Sequence, residues 1–135
     1  MTDFSERADL VRASIDAWNS EDWEIALRSV WRPEGVIVTP EGWPEPGTFA
    51  GWEAMVEQWG RVKGSWAKER VELITAEPAG EGVLAEVRWT LQGEASGAPL
   101  EVRVWLLCEL TGDRLSRMTY FLDRDAARRA AEELS

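Results

Sequence analysis

Four strand-like segments follow one another through the second half of the chain, and they constrain its fold more than any other feature. They cover about Trp66–Ala76, Val83–Gln92, Leu100–Leu110 and Arg114–Leu122. The breaks between them are rich in glycine, proline and aspartate, which are typical of tight turns. Consecutive strands joined by short turns pair as an antiparallel meander, and helices pack on one face of such a sheet.

The rest of the chain carries helical patterns. Apolar residues recur at spacings of three and four from Phe4 to Trp18, from Trp23 to Trp31, and from Trp52 to Trp59. Thr2 or Asp3 begins the first helix. Ser20 caps the second helix, and Pro33 ends it. Gly60 and Gly64 stop the third helix, and Asp123 or Asp125 caps a final one. A short strand at Val36–Val38 and a loop at Gly42–Gly47 separate the second helix from the third.

Length and charge exclude several classes of function. At 135 residues the chain predicts a single domain, 1–135, with an ordinary core. With a net charge of −10, the chain lacks the basic surface of a nucleic-acid binder. Its apolar runs are too short to span a membrane. We therefore expect no nucleic-acid partner and no membrane partner. The N-terminus is polar and acidic, which is unlike a signal peptide.

The residues that are scarce in the chain limit its chemistry. Histidine is absent, which removes the commonest general base near neutral pH and the commonest transition-metal ligand. We therefore expect no metal and no cofactor. Cys108 is the only cysteine and lies among leucines, which predicts a buried, inert thiol in the reducing cytoplasm. Tryptophan, by contrast, is unusually abundant, with nine residues.

Three segments carry a resemblance to a known family. They are WNSEDWEIAL, WPEPGTFAGWEAM and GDRLSRMTYFLDRDAA, in this order. Together they resemble the nuclear-transport-factor-2-like superfamily, in its SnoaL-like and ketosteroid-isomerase-like branch, over nearly the whole chain. The resemblance implies an α+β fold. In it, a curved antiparallel sheet is wrapped by the N-terminal helices into a cone (a cystatin-like roll), with a short C-terminal helix and an interior pocket.

The catalytic groups of characterised relatives are missing from this chain. The ketosteroid isomerase positions fall at Ser14, at Thr39, and at or next to Trp105. The positions used by limonene-type epoxide hydrolases fall at Val87, Trp89 and Tyr120. Because none of these residues supplies the required set of acids and bases, we expect neither activity.

Three residues remain as candidates for catalysis. Asp123 matches the acid that SnoaL-like cyclases place near the end of the final strand, although capping the last helix is the simpler role. Tyr120 is suited to donating a hydrogen bond to an oxyanion, or to plain packing. Arg103 shares a strand face with Glu101, so it forms a surface ion pair or, if that face turns inward, anchors a ligand carbonyl or carboxylate.

The resemblance also implies which side chains face the pocket: Ser14, Trp18, Thr39, Trp43, Trp59, Val87, Trp89, Trp105, Met118 and Tyr120. Such an aromatic lining predicts a small hydrophobic or aromatic ligand. Two alternatives stay open. One is a cyclase, isomerase or hydrolase acting on a polyketide- or terpenoid-like substrate, and the other is a structural dimerisation module whose tryptophans fill the cone.

Self-association is a further expectation. Leu100–Leu110 is apolar on both sides, and a strand of this kind is usually covered on both faces. One face would meet the helices and the other a second subunit, as in many relatives. We therefore expect a homodimer, with Val104 and Leu106 as outward positions on the interface.

Overall fold

The structure, a computed structural model, describes residues 3–43, 45–93 and 99–134. The helices among these residues are α1 (Phe4–Asn19), α2 (Trp23–Val30), α3 (Trp52–Gly64) and α4 (Arg124–Glu133). The strands are β1 (Trp31–Thr39), β2 (Gly47–Ala50), β3 (Lys68–Ala79), β4 (Gly82–Gln92), β5 (Leu100–Thr111) and β6 (Arg114–Phe121). None of the described helices is long and apolar enough to cross a membrane.

The strands form one curved, open sheet in the order β2-β1-β6-β5-β4-β3. Strands β3 to β6 make the predicted antiparallel meander, and Gly80 and Gly112 adopt positive φ angles of 57° and 65° in two of its turns. Strand β1 runs parallel to β6, so the sheet is mixed. The parallel pair arises because the chain passes through β2, α3 and the meander before returning beside β1.

The boundary between α2 and β1 differs from the sequence prediction. Trp31 begins the strand instead of ending the helix, and Pro33 lies inside β1, where the pairing with β6 is irregular. An irregular stretch tolerates proline because no ladder hydrogen bond is required of its missing N–H. At the start of α2, Ser20 accepts a hydrogen bond from the Asp22 backbone, but Asp22 occupies the N-cap position. Strand β2 was not predicted.

Strand alternation decides which side chains face the helices. Alternate residues of β4 are buried, and Val87 and Trp89 lie on the concave, helix-covered face, as the resemblance implies. On β5, Val104 and Leu106 also lie on that face and are buried. The expectation that Val104 and Leu106 point outward toward a second subunit is therefore wrong.

The C-terminal helix covers the opposite, convex face of the sheet. Ala127 and Ala131 of α4 pack with Leu84 and Leu107, and Trp105 packs against the edge of this second core. One chain thus supplies a cover for both faces of β5. The N-cap of α4 is Asp123, whose carboxylate accepts a hydrogen bond from the Ala126 backbone at 3.0 Å.

Candidate ligand pocket

An apolar cavity of about 50 Å³ lies between the helices and the concave face of the sheet. Eight of the predicted pocket residues line it: Ser14, Trp18, Trp43, Trp59, Val87, Trp89, Met118 and Tyr120. Four further lining residues were not predicted: Ile15, Val71, Val104 and Leu106. The cavity is therefore lined by aromatic rings and by aliphatic side chains of the sheet and of α1.

The aromatic rings contact one another in a continuous chain. Trp43 stacks on Trp89, with ring centroids 5.1 Å apart and planes 15° apart, and Tyr120 meets Trp43 edge-on. Trp18 lies nearly perpendicular to Trp89 at 6.1 Å and packs edge-on against Trp59 at 4.8 Å. Stacked and edge-to-face contacts of this kind stabilise each pair beyond simple burial.

Trp43 enters the cavity from the loop between β1 and β2. The Thr39 hydroxyl donates a hydrogen bond to the Glu45 carbonyl at 2.6 Å, and the Arg61 guanidinium holds the Glu45 carboxylate at 2.7 Å on the protein surface. Thr39 therefore fastens the loop and does not line the cavity, which corrects its predicted place. The loop delivers a buried indole, since Trp43 is only 8% exposed.

Few polar groups belong to the residues that line the cavity, and they are indole N–H groups and the hydroxyls of Tyr120 and Ser14. The indole N–H groups of Trp43 and Trp59 are buried and have no acceptor among the described residues. Burial raises the pKa of Tyr120, so its hydroxyl stays neutral and can donate. Ser14 adds a second hydroxyl. Such a lining suits a ligand that carries an acceptor oxygen.

A partly buried ion pair lies directly behind two of the tryptophans. Glu69 accepts hydrogen bonds from the indole N–H of Trp18 and, at 3.1 Å, from that of Trp89. Its second carboxylate oxygen lies 2.7 Å from the Lys63 ammonium. This pair was not among the predicted site residues. The available signal was weak: Glu69 shares the inward side of β3 with Val71 and pairs with Leu91 of β4.

The remaining candidates lie outside the cavity. Trp105 packs on the convex face near α4, because it alternates with the inward-facing Val104. Arg103 forms an ion pair with Glu86 on that same convex face, so it cannot anchor a ligand in the cone. Asp123 caps α4. The three catalytic candidates are thus not brought together, and of them only Tyr120 lines the cavity.

A second concavity is larger but unlike a ligand pocket. It is an open groove of about 790 Å³ at the end of the sheet. Acidic residues line it together with basic ones, among them Lys68 and Arg70. Lys63 and Glu69 form part of its wall. Within the described residues, no three acidic or cysteine side chains come together in a way that could hold a metal ion.

Comparison with known proteins identifies the family. A family model for the SnoaL-like domain matches residues 11–118, which is most of the chain. The chain belongs to the SnoaL-like family. This places it in the nuclear-transport-factor-2-like superfamily, as the resemblance predicted. No curated protein matches this SnoaL-like chain.

Solved structures share the fold of this SnoaL-like domain. Bal32a, from a soil-derived mobile gene cassette, is 23% identical with a TM-score of 0.77, over 92% of this chain and 94% of its own. TerC, co-crystallised with polyporic acid, is 17% identical with a TM-score of 0.77, over 94% and 98%. IdmH of Streptomyces antibioticus, described as a candidate polyketide cyclase, is 18% identical with a TM-score of 0.75, over 93% and 96%. These identities are low, so the likeness establishes the fold alone.

Proposed function

We propose that this SnoaL-like domain binds a small, flat, largely apolar molecule in its Trp-rich cone. The observation that carries the proposal is the lining of the cavity, which offers aromatic faces and hydrogen-bond donors. No carboxylate is among the described residues that line it. A ligand with one or two carbonyl or hydroxyl oxygens would accept hydrogen bonds from the hydroxyls of Tyr120 and Ser14.

The size of the cavity indicates how such a ligand enters. A cavity of about 50 Å³ is too small for a ring system, since an apolar cavity needs about 150 Å³ to bind benzene. Displacing Trp43 would enlarge it, because that indole comes from a loop and lies stacked on Trp89. We infer that a planar ligand takes the place of the Trp43 ring on the face of Trp89.

Fluorescence titration tests this proposal. Flat aromatic ketones should quench tryptophan emission with micromolar affinity, which is about −8 kcal/mol. Trp89→Phe should weaken binding, whereas Trp105→Phe, which alters a tryptophan on the convex face, should leave it unchanged. Trp43→Ala should tighten binding by about tenfold, because the ligand no longer competes with the stacked indole. If steroids, terpenoids and aromatic polyketides quench neither wild type nor Trp43→Ala, the result would favour the alternative in which the tryptophans fill the cone and the domain is structural.

A second candidate function is that of a cyclase, isomerase or hydrolase on a polyketide- or terpenoid-like substrate. The neutral hydroxyl of Tyr120 supports it, because a donor in an apolar site stabilises a developing oxyanion. Tyr120→Phe should then lower kcat by about 10²-fold or more and change KM little. Equal turnover by the two proteins would leave binding as the function. Ketosteroid isomerase and limonene-type epoxide hydrolase activities should both be undetectable.

Two broader expectations also remain proposals. We propose a homodimer that forms through the convex face beside α4, where Trp105 and Phe121 are only partly buried. We also propose a cytoplasmic location. The single cysteine, Cys108, supports it, because one cysteine cannot form an internal disulfide and such chains are typical of a reducing compartment.

A further inference from the structure

The carboxylate of Glu69 connects four elements around the cavity. Its side chain is 10% exposed, and its oxygens accept hydrogen bonds from Trp18 on α1, Trp89 on β4 and Lys63 on α3. Two of these donors belong to cavity-lining rings. The carboxylate therefore contacts the cavity walls from behind, on the side that faces the open groove.

Lys63 completes the arrangement around Trp18. Its ammonium lies 2.7 Å from Glu69, donates to the Trp18 carbonyl at 2.6 Å, and stands 4.3 Å from the centre of the Trp18 ring. A largely buried carboxylate without partners would be destabilising, and here each of its partners donates a hydrogen bond. The cation and the indole N–H bond thus hold the Trp18 ring by its face and by its edge.

The neighbouring ion pair on β3 shows what is specific to Glu69. Glu72 lies on the opposite side of the same strand, about half exposed, and pairs with Arg88 at 3.4 Å. Its pair touches no aromatic ring of the cavity. An exposed pair of this kind contributes little to stability. Glu69 differs because the groups it binds are the rings that give the cavity its shape.

We propose that Glu69, held by Lys63, is a positioning residue that fixes the orientation of the Trp18 and Trp89 rings and thereby determines which ligands fit the cone. The part concerning ligands rests on the proposed binding function. Trp89 is hydrogen-bonded to Glu69 through its edge and presents its face to the site that Trp43 occupies. A fixed face accepts planar ligands and rejects globular ones of the same polarity.

Hydrogen exchange of the indole N–H groups, followed by NMR, tests the positioning role without any ligand. Glu69→Gln should speed exchange at Trp18 and Trp89 by about tenfold, because a bond to a charged acceptor is lost or weakened. The indole of Trp52, which donates to the Trp31 carbonyl at 3.1 Å, should not change and serves as an internal control. The matched variant Glu72→Gln should leave all three rates unchanged.

Two ketone probes test the specificity. Wild type should prefer flat acetonaphthone over globular acetyladamantane, and Glu69→Gln should reduce that ratio by about tenfold, whereas Glu72→Gln should keep it. If Glu69→Gln does not fold, the double variant Lys63→Met with Glu69→Gln, which removes both buried charges, replaces it. Unchanged exchange rates in the Glu69 variant would overturn the proposal. If neither probe binds wild type, the binding function fails, and the exchange rates alone decide whether Glu69 positions the rings.

Discussion

Tyr120 and Cys108 are each the only residue of their type in the chain, and both face the interior of the cone. Burial raises the pKa of both groups, to about 12 for Cys108. Their protonated forms are therefore favoured by folding, and the folded state holds more protons than the unfolded chain in alkaline solution. The stability that they contribute is complete below the ordinary pKa values and is lost as the pH rises above them.

This gives a prediction for alkaline solution. The free energy of unfolding should fall above about pH 9 to 10, by about 1.4 kcal/mol per pH unit for each of the two groups. Urea unfolding across this range measures the slope. Cys108→Ala and Tyr120→Phe should each remove their own share of it. Phenolate absorbance, which reports on Tyr120 alone, should appear only at a pH above that of free tyrosine; a normal titration would contradict the prediction.

Asp123 offers a second prediction, because its two candidate roles respond differently to substitution. As the N-cap of α4, its loss in Asp123→Ala should cost about 1 kcal/mol of stability, whereas Asp123→Asn should keep the cap. Both variants should bind cone ligands as wild type does. Urea unfolding and fluorescence titration measure the two effects. If Asp123→Asn were stable but inactive in a turnover assay, Asp123 would be acting as an acid.

Side-chain placement could be predicted where strand alternation was clear. The resemblance placed Val87 and Trp89 in the cone, and the regular alternation of β4 agrees with that placement. On β5 both sides are apolar, so periodicity alone cannot tell which side the helices cover, and the resemblance places Trp105 on the wrong face. Glu69 lies in a strand with many charged residues, so its inward position becomes visible only through its pairing with β4.

At the scale of elements, α4 explains why β5 is apolar on both faces. The helix is mostly charged, yet the small side chains of Ala127 and Ala131 let it lie close to Leu84 and Leu107 on the convex face. The sequence predicts the helix and its cap, but the helix takes the place on the second face of β5 that was expected for another subunit. A short helix rich in alanine and charge gives little sign of what it covers, because its apolar surface is small.

The close packing of α4 can be tested by introducing leucine at each of two adjacent positions of the helix. Ala127→Leu should destabilise the domain by about 1–3 kcal/mol, because the added atoms have no space beneath the helix. Arg128→Leu, which removes only an exposed ion pair to Glu77, should change stability by about 0.5 kcal/mol or less. Thermal or urea unfolding compares them, and equal losses would show that α4 is loosely attached.

At the scale of the whole molecule, oligomeric state distinguishes the two faces of β5. Light scattering at micromolar concentration should show a wild-type dimer. Trp105→Glu should give a folded monomer, because it places a charge on the proposed convex interface. Val104→Glu should instead unfold the protein, since a carboxylate buried among apolar side chains costs several kcal/mol. A monomeric wild type would rule out the dimer.

The parallel pairing of β1 with β6 has a consequence for how the protein folds. Ile37 pairs with Met118, so the sheet joins parts of the chain that lie far apart in sequence. Contacts of such high sequence separation form slowly, because a long loop must close first. Until β6 arrives, one edge of β1 has no partner and can bind a strand of another molecule. Pulse-labelled amide exchange should therefore find the β1–β6 hydrogen bonds among the last to become protected, with aggregation during refolding confined to the time before they form.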